Sequence, residues 1–416
     1  MGLGMKERHR LTEEIAQRYR GSSAAQKRAI LDEFVATTGY NRKYASHLLS
    51  RWGLSKYVRI DDELLKLTAG RPRKKAARPG RLRYPHSLDR PLESLWVLHN
   101  CPCGKRLAPA LAENREAVLK GAELGISAAE YDAIAAMSPS TIDRRLSGRH
   151  PEQSLKGITH TRPAKALKNL VQVKTWGDWQ DARPGEFQAD TVGHDGGTSQ
   201  GEFCFTLTAV DVASGWTELR ALKNRAARWV RAGLDDIREN LPFPLRGLHT
   251  DNGGEFINLV VAAFCESHAV EFTRSRADHK NDNCYVECRN DDAVRRSVGY
   301  ARFDTDDELE ALAQVYRFAV PLMNYFLPGM KLVSKRREGA KVIKRHDEAK
   351  TPYRRLMESP DVSDDAKAIL KARRDELDMI QLKLAYDAAL DTLVTLNKTK
   401  AAPSARLADP AGALPG

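Results

Sequence analysis

The segment that most restricts what this chain can fold into is residues 203–212, FCFTLTAVDV, a run of β-forming side chains with no Gly or Pro to interrupt it. A strand of this kind is stable only inside a sheet, and its flanks supply partners. Residues 187–192 before it are short and partly apolar, Ser214-Gly215 after it marks a turn, and residues 216–222 make a third strand. The pattern then changes period. Residues 225–240 read as an amphipathic helix, 245–250 as a fourth strand, 255–268 as a helix and 270–275 as a fifth strand, and a further helix starts near Asn283. Three hairpin-linked strands followed by alternating helix and strand predict a mixed sheet with helices packed on it.

The chain ahead of the sheet reads as helical. Residues 27–37 set Ile30, Leu31, Phe34 and Val35 at helical spacing, and Thr38-Gly39-Tyr40 breaks the pattern. Asn41 is an N-cap for a second helix carrying Tyr44, Ala45, Leu48, Leu49 and Trp52. Two short helices around a Gly-containing turn have the pattern of a helix-turn-helix, in which Arg42 and Lys43 would face DNA; an ordinary helical hairpin has the same pattern. Residues 71–83, RPRKKAARPGRLR, combine seven Lys/Arg with two prolines and no acid. Like charge and proline disfavour a helix, so this segment reads as an extended linker with Arg71, Arg73, Lys74 and Lys75 tracking phosphates. Further on, Ser127 and Glu130 form a capping box, and Ser138-Pro139 opens another helix bearing Arg144 and Arg145, a second helix-turn-helix candidate. Cys101 and Cys103 near His99 invite a zinc reading, but no second Cys/His pair follows at ligand spacing.

Charge sharpens the division. The chain of 416 residues carries a formal charge of +12. Residues 1–90 hold 21 Lys/Arg against 9 Asp/Glu, whereas residues 181–300 hold 14 against 19. A basic front predicts a polyanionic partner, most simply nucleic acid. The acidic sheet region needs another account, and divalent metal binding is one. No apolar run approaches the roughly 18–20 residues of a membrane span, the start has no apolar signal-peptide core, and six cysteines are too sparse for a disulfide scaffold. These features predict a cytoplasmic protein with no membrane partner.

Three acids fall at informative places. Asp190 lies in the first strand, Asp251 at the end of the fourth, and Glu287 on the helix after the fifth, with 35 residues between the last two. If the first and fourth strands are neighbours, Asp190 and Asp251 sit side by side, and the later helix can bring Glu287 over them. Carboxylates gathered without a basic partner repel one another unless cations bind there, and hard oxygen ligands select Mg²⁺ or Mn²⁺. Two such ions about 4 Å apart suit in-line phosphoryl transfer. Around them, His194 could orient the metal shell or touch DNA and equally serve a structural loop, and His249 could orient the metal shell or pack in the core. Lys280 and Asn283 could touch DNA phosphates or form a solvated cap. Asp211 is a possible fourth acid, although a turn role suits its strand-end position better. Asn252, Gly253 and Gly254 would form a tight turn that lets DNA approach.

The strand aspartate, the block His249-Thr250-Asp251-Asn252-Gly253-Gly254-Glu255-Phe256, and Lys280-Asn281-Asp282-Asn283 leading to Val286-Glu287 resemble the integrase-type DDE transposases, which include bacterial insertion-sequence transposases and retroviral integrases. The likeness covers roughly residues 180–300 and continues more weakly through 324–332. Cys288-Arg289-Asn290 departs from the Gln-Lys-Asn that often follows the glutamate in relatives, and a retroviral-style zinc domain is missing. The resemblance implies an RNase H-like catalytic core with Asp190, Asp251 and Glu287 holding two Mg²⁺ or Mn²⁺ ions. It also implies cleavage at element ends, attack of the freed 3′-hydroxyl on target DNA, and helix-turn-helix units bound to terminal inverted repeats. A homodimer or homotetramer assembled on DNA, associated with the bacterial nucleoid, follows from the same resemblance.

The expected fold is therefore multidomain, α followed by α/β. It comprises a helix-turn-helix domain (1–70), a basic linker (71–90), a second helical domain (91–165), the catalytic core (180–305), a C-terminal region (306–400) and a disordered tail (401–416). Two other functions fit parts of the pattern. A non-catalytic helix-turn-helix regulator would need no acids, and a metal-dependent nuclease of the same fold would cut without joining.

Overall fold

The computed structural model describes residues 3–60, 63–70, 84–121, 123–148, 171–174, 179, 181–276, 280–338 and 341–401. The chain divides into two compact units, Met1–Arg83 and Tyr84–Gly416.

In the first unit three helices, α1 (Met5–Gly21), α2 (Ala24–Thr38) and α3 (Arg42–Arg51), enclose a small core of Ala16, Tyr19, Ile30, Leu31, Phe34, Ala45 and Leu49. Local chemistry sets the breaks. The Ser23 side chain accepts the N–H of Gln26 at the start of α2, Gly39 takes the left-handed conformation that ends it (φ 71°), and Asn41 accepts the N–H of Lys43 to open α3. Tyr44, read from sequence as part of the apolar face, is 52% exposed and meets Tyr40 edge-on at 5.1 Å. A feature the helical reading of residues 1–70 lacks is an antiparallel hairpin, β1 (Ser55–Ile60) with β2 (Glu63–Thr68), pairing Ser55 with Thr68.

The second unit begins with a helical layer: α4 (Asp89–Leu98), α5 (Gly104–Glu113), α6 (Arg115–Leu119), α7 (Ala128–Ala135) and α8 (Pro139–Leu146). Both expected caps are present, with Ser127 accepting from Glu130 N–H and Ser138 from Thr141 N–H. Leu92, Leu95, Leu107, Ile134 and Ile142 are fully buried in the same hydrophobic cluster as the sheet. This layer and the sheet therefore share one core, and Asn114 ties the layer to the later helix Asp306–Phe326 by donating to the carbonyl of Phe326 at 2.8 Å.

The sheet contains β3 (Gln172–Val173), β4 (Glu186–Gly193), β5 (Phe205–Asp211) and β6 (Thr217–Leu222). After α9 (Ala227–Asn240) come β7 (Gly247–Thr250), α10 (Leu259–Ser267) and β8 (Glu271–Arg274). The strand order is β3-β8-β7-β4-β5-β6. β4 is central, antiparallel to β5 and parallel to β7, while β6 is antiparallel to β5 and β8 parallel to β7. Three antiparallel strands that then continue in parallel on the other side of the first give the RNase H-like sheet. Every residue of β5 is buried, which explains its uninterrupted β-forming sequence.

The chain continues through α11 (Cys284–Arg289), a π turn at Asn290–Arg295 and the short α12 (Arg296–Val298). The 21-residue α13 (Asp306–Phe326) then packs against β6 and against α16 (Met379–Ala401). Between them lie a second antiparallel hairpin, β9 (Leu332–Glu338) with β10 (Lys341–His346), and helices α14 (Pro352–Glu358) and α15 (Asp364–Glu376). Among the described residues no helix is long and apolar enough to cross a membrane.

Candidate active site

The parallel pairing of β4 with β7 decides where the acids meet. Its register runs Gln188 to His249 and Ala189 to Thr250, so Asp190, within β4, and Asp251, just past the end of β7, are the next residues on two adjacent strands. Asp190 is half-buried, and its Oδ1 accepts the N–H of Thr191 at 2.7 Å. Its Oδ2 accepts from Asn290 Nδ2 at 2.7 Å. Asp251 Oδ1 accepts the N–H of Gly253 at 2.8 Å. A side chain at 253 would press on that oxygen, since a Cβ there would lie 2.9 Å from Asp251 Oδ1 and 2.7 Å from the Glu255 carboxyl group. Glycine at 253 thus lets the strand end turn tightly beside two acids.

Glu287 reaches the same region from α11, and a buried glutamine fixes that helix to the sheet. Gln188 stands two residues before Asp190 and has no exposed surface. Its Oε1 accepts the N–H groups of Tyr285 (3.1 Å) and Val286 (3.3 Å), and its Nε2 donates to the carbonyl of Asp282 at 2.9 Å. These bonds satisfy amides of the helix start that would otherwise have no partner there. A fourth acid joins the group, with Glu255 Oε1 accepting from Thr191 Oγ1 at 3.2 Å.

The electrostatics report the crowding. Burial, then the charge of Asp251, then those of Glu255 and Glu287, push the Asp190 carboxyl up to about 7. The bond from Thr191 N–H opposes this without cancelling it.

Other residues singled out from sequence are used differently. Asp211 is buried and closes a turn, accepting from Gly185 N–H and Ser214 N–H at 2.8 Å each. His194 is buried away from the acids, with Nε2 against Thr206 Oγ1 at 2.7 Å and its ring 5.0 Å from Phe303. Burial lowers its pKa to about 3. His249 joins β7 to β8 through Thr273 (2.9 Å) and Ser275 (3.1 Å), and burial, aided by Lys174, lowers it to about 4. Both histidines are neutral packing residues in this geometry. Asn283 is buried with its Oδ1 lacking a hydrogen-bond partner, and Lys280 lies in the 3-10 turn Lys280–Asn283. Arg145 clamps the start of α4, donating to Asp89 Oδ1 at 2.6 Å, while Arg144 is exposed beside it. In the first unit Lys43 is exposed and Arg42 pairs with Asp32. Arg71, Arg73, Lys74 and Lys75 lie outside the described residues.

Sequence reasoning missed Gln188, Glu255 and Asn290. Glu255 was visible four residues after Asp251, and Asn290 one helical turn after Glu287, the spacing that puts a residue on the same helix face. Gln188 alternates with Asp190 along β4, which was a legible signal for a shared face.

The acids fit a divalent cation by their chemistry. They are oxygen donors, the other acids raise the proton affinity of Asp190, and the Asn290 Oδ1 beside them is buried without a hydrogen-bond partner. Among the described residues no three His, Cys, Asp or Glu side chains already stand close enough to hold an ion.

A family model for the integrase core domain matches residues 181–280, the segment containing Asp190 and Asp251. The uncharacterized protein y4rM of Sinorhizobium fredii (strain NBRC 101917 / NGR234) is 36% identical over 358 residues, covering 85% of this chain and 96% of its own length. Among solved structures, the catalytic core domain of BIV integrase in crystal form I matches at 16% identity over 41% of this chain and 93% of that one, with a TM-score of 0.27, a likeness too distant to bear on mechanism. The chain belongs to the family of y4rM and carries an integrase core domain over residues 181–280. That domain supports the polynucleotidyl transferase class and a DNA substrate.

Proposed function

We propose that this protein is a DDE transposase that binds the terminal inverted repeats of a mobile element, cleaves DNA at the element's 3′ ends and joins those ends to target DNA. The observation that carries the reading is the convergence of Asp190, Asp251 and Glu287 from two adjacent strands and one docked helix, which raises the proton affinity of Asp190.

Asp190, Asp251 and Glu287 would hold two Mg²⁺ or Mn²⁺ ions, with Glu255 close by. Bound there, the ions would activate the attacking oxygen and stabilise the leaving oxygen of an in-line displacement. The chain's own residues set up that chemistry. Asn290 and the Thr191 N–H hold the two oxygens of Asp190 in a fixed orientation. Gln188 keeps α11 seated so that Glu287 stays beside the sheet. The turn at Asn252–Gly254 leaves room for a DNA backbone at the strand ends.

Specificity would come from the basic front of the chain, with Arg42 and Lys43 on α3 and Arg71, Arg73, Lys74 and Lys75 in the linker. Arg144, Lys280 and Asn283 are further contact candidates, whereas the clamp on α4 gives Arg145 a structural duty first. Two element ends held together require a dimer or tetramer on DNA.

Asp251→Asn and Glu287→Gln test the assignment. Each should abolish metal-dependent joining while leaving binding to an element-end duplex within about threefold, since neither change alters the first unit. Full joining by either variant would remove that residue from the triad.

A further inference from the structure

A cavity of about 690 Å³ lies against α11, within the second unit, and is lined by the catalytic helix, the end of β5, the segment Gly329–Leu332 and β10. α11 turns Cys284, Tyr285, Cys288 and Arg289 towards it, whereas Glu287, on another face of the same helix, is not among its lining residues. That volume is in the range of small-molecule sites, roughly 300–1,000 Å³.

Its wall carries more positive charge than its carboxylates balance. Arg106 and Arg289 share Asp292, at 3.2 and 4.0 Å, and the same carboxylate also pairs with Arg296 at 3.1 Å. Lys331 Nζ donates to the carbonyl of Ala213 at 2.8 Å, a dipole rather than a countercharge. Burial, then the neighbouring Arg355, hold Lys331 below the ordinary lysine value, although Asp211 and Asp347 pull the other way. Lys344 adds an exposed ammonium from β10. A recess of this kind favours an anion, and guanidinium groups match phosphate oxygens. Arg276, Lys350 and Arg355 also line it, each paired with a carboxylate (Asp282, Glu358 and Asp347). Another part of the wall is apolar, formed by Val210, Val212, Met330, Leu332 and Pro352 with the ring of Tyr285. Inorganic phosphate has no use for such a surface; a nucleobase does, because its faces pack on aromatic and apolar side chains.

We propose that this cavity binds a nucleoside phosphate, its phosphate among Arg106, Arg289, Lys331 and Lys344 and its base against the apolar wall. The ligand is either a free nucleotide or one nucleotide of a DNA strand, and it sits on the helix that carries Glu287. The proposal concerns binding without a divalent ion, so it stands or falls apart from the strand-transfer reading.

Cys288 is an exposed thiol on the cavity wall, and Cys103 is an exposed thiol outside it. Alkylation of the full chain by iodoacetamide in EDTA, followed peptide by peptide, therefore reports occupancy at Cys288 with Cys103 as the internal control. Saturable protection of Cys288 by dADP supports the proposal with a free nucleotide as the source. Protection by a short single-stranded oligonucleotide but not by dADP supports it with a strand as the source. In either case Lys344→Glu should raise the half-protecting concentration by about tenfold, the loss of one phosphate contact, with Cys103 reacting at its original rate as a sign of an intact fold. No protection by either probe, equal protection by inorganic phosphate, or protection unchanged in Lys344→Glu would overturn it.

Discussion

Asp190 carries a large electrostatic cost, because its carboxylate is half-buried near three other acids. Its proton affinity is raised from 3.8 in the unfolded chain to about 7 in the fold, so the folded state holds the extra proton between those values. Without metal, the Asp190 contribution to stability is therefore fully present below about pH 4 and is lost as the pH rises through about 7. Asp190→Asn should raise the thermal midpoint of the metal-free protein at pH 8, by roughly 1 kcal/mol or more in stability, while abolishing joining. A lower midpoint in EDTA would mean that the carboxylate is stabilised by something other than a metal. Asn290 donates to the ionised form of Asp190 at 2.7 Å. Asn290→Ala should raise the Asp190 pKa further, moving the pH midpoint of Mn²⁺ binding upwards; an unmoved midpoint would assign Asn290 to packing. The three main acids were readable as candidates because Asp190 lies in a strand, Asp251 follows one and Glu287 rides a helix, the last two inside recognisable blocks. Gln188 and Asn290 were harder to read, since their roles follow from how α11 docks on β4.

At the scale of elements, the sheet could be read from sequence because its strands are buried and its helices amphipathic, so each period is plain. The two hairpins, β1–β2 and β9–β10, could not. Their sequences, SKYVRI with ELLKLT and LVSKRRE with KVIKRH, mix charged and apolar residues, and a two-stranded ribbon buries too little to impose a clean alternation. Residues 364–396 have a uniformly helical composition, which conceals the break at Leu377-Asp378 that separates α15 from α16. α13 supports the sheet edge through Asn324, which is fully buried. Its Oδ1 accepts the Thr217 N–H and its Nδ2 donates to the Thr217 carbonyl, both at 2.8 Å. Asn324→Ala leaves both backbone groups of β6 buried without partners and should cost about 2–4 kcal/mol, read as a lower denaturant midpoint. A change below about 0.5 kcal/mol would show that the edge is held by apolar packing alone.

At the scale of the whole molecule, charge and architecture divide the work. The basic front belongs mainly to the unit Met1–Arg83, and the acids to the unit Tyr84–Gly416, whose helical layer and sheet share one core. A fragment starting at Tyr84 should unfold cooperatively and bind Mn²⁺ like the full chain. It should also lose affinity for an element-end duplex, with a shallower dependence of that affinity on salt. Unchanged affinity and salt slope would move end recognition into the second unit. The central claim is that metal-dependent cutting and joining are performed at Asp190, Asp251 and Glu287. Its most direct test is incubation of the full chain with a labelled duplex carrying the source element's end, target plasmid, and Mg²⁺ or Mn²⁺, with products separated by size. The account predicts joined product for the wild type and none for Asp251→Asn or Glu287→Gln; cleavage without joining, or joining that survives either substitution, would contradict it.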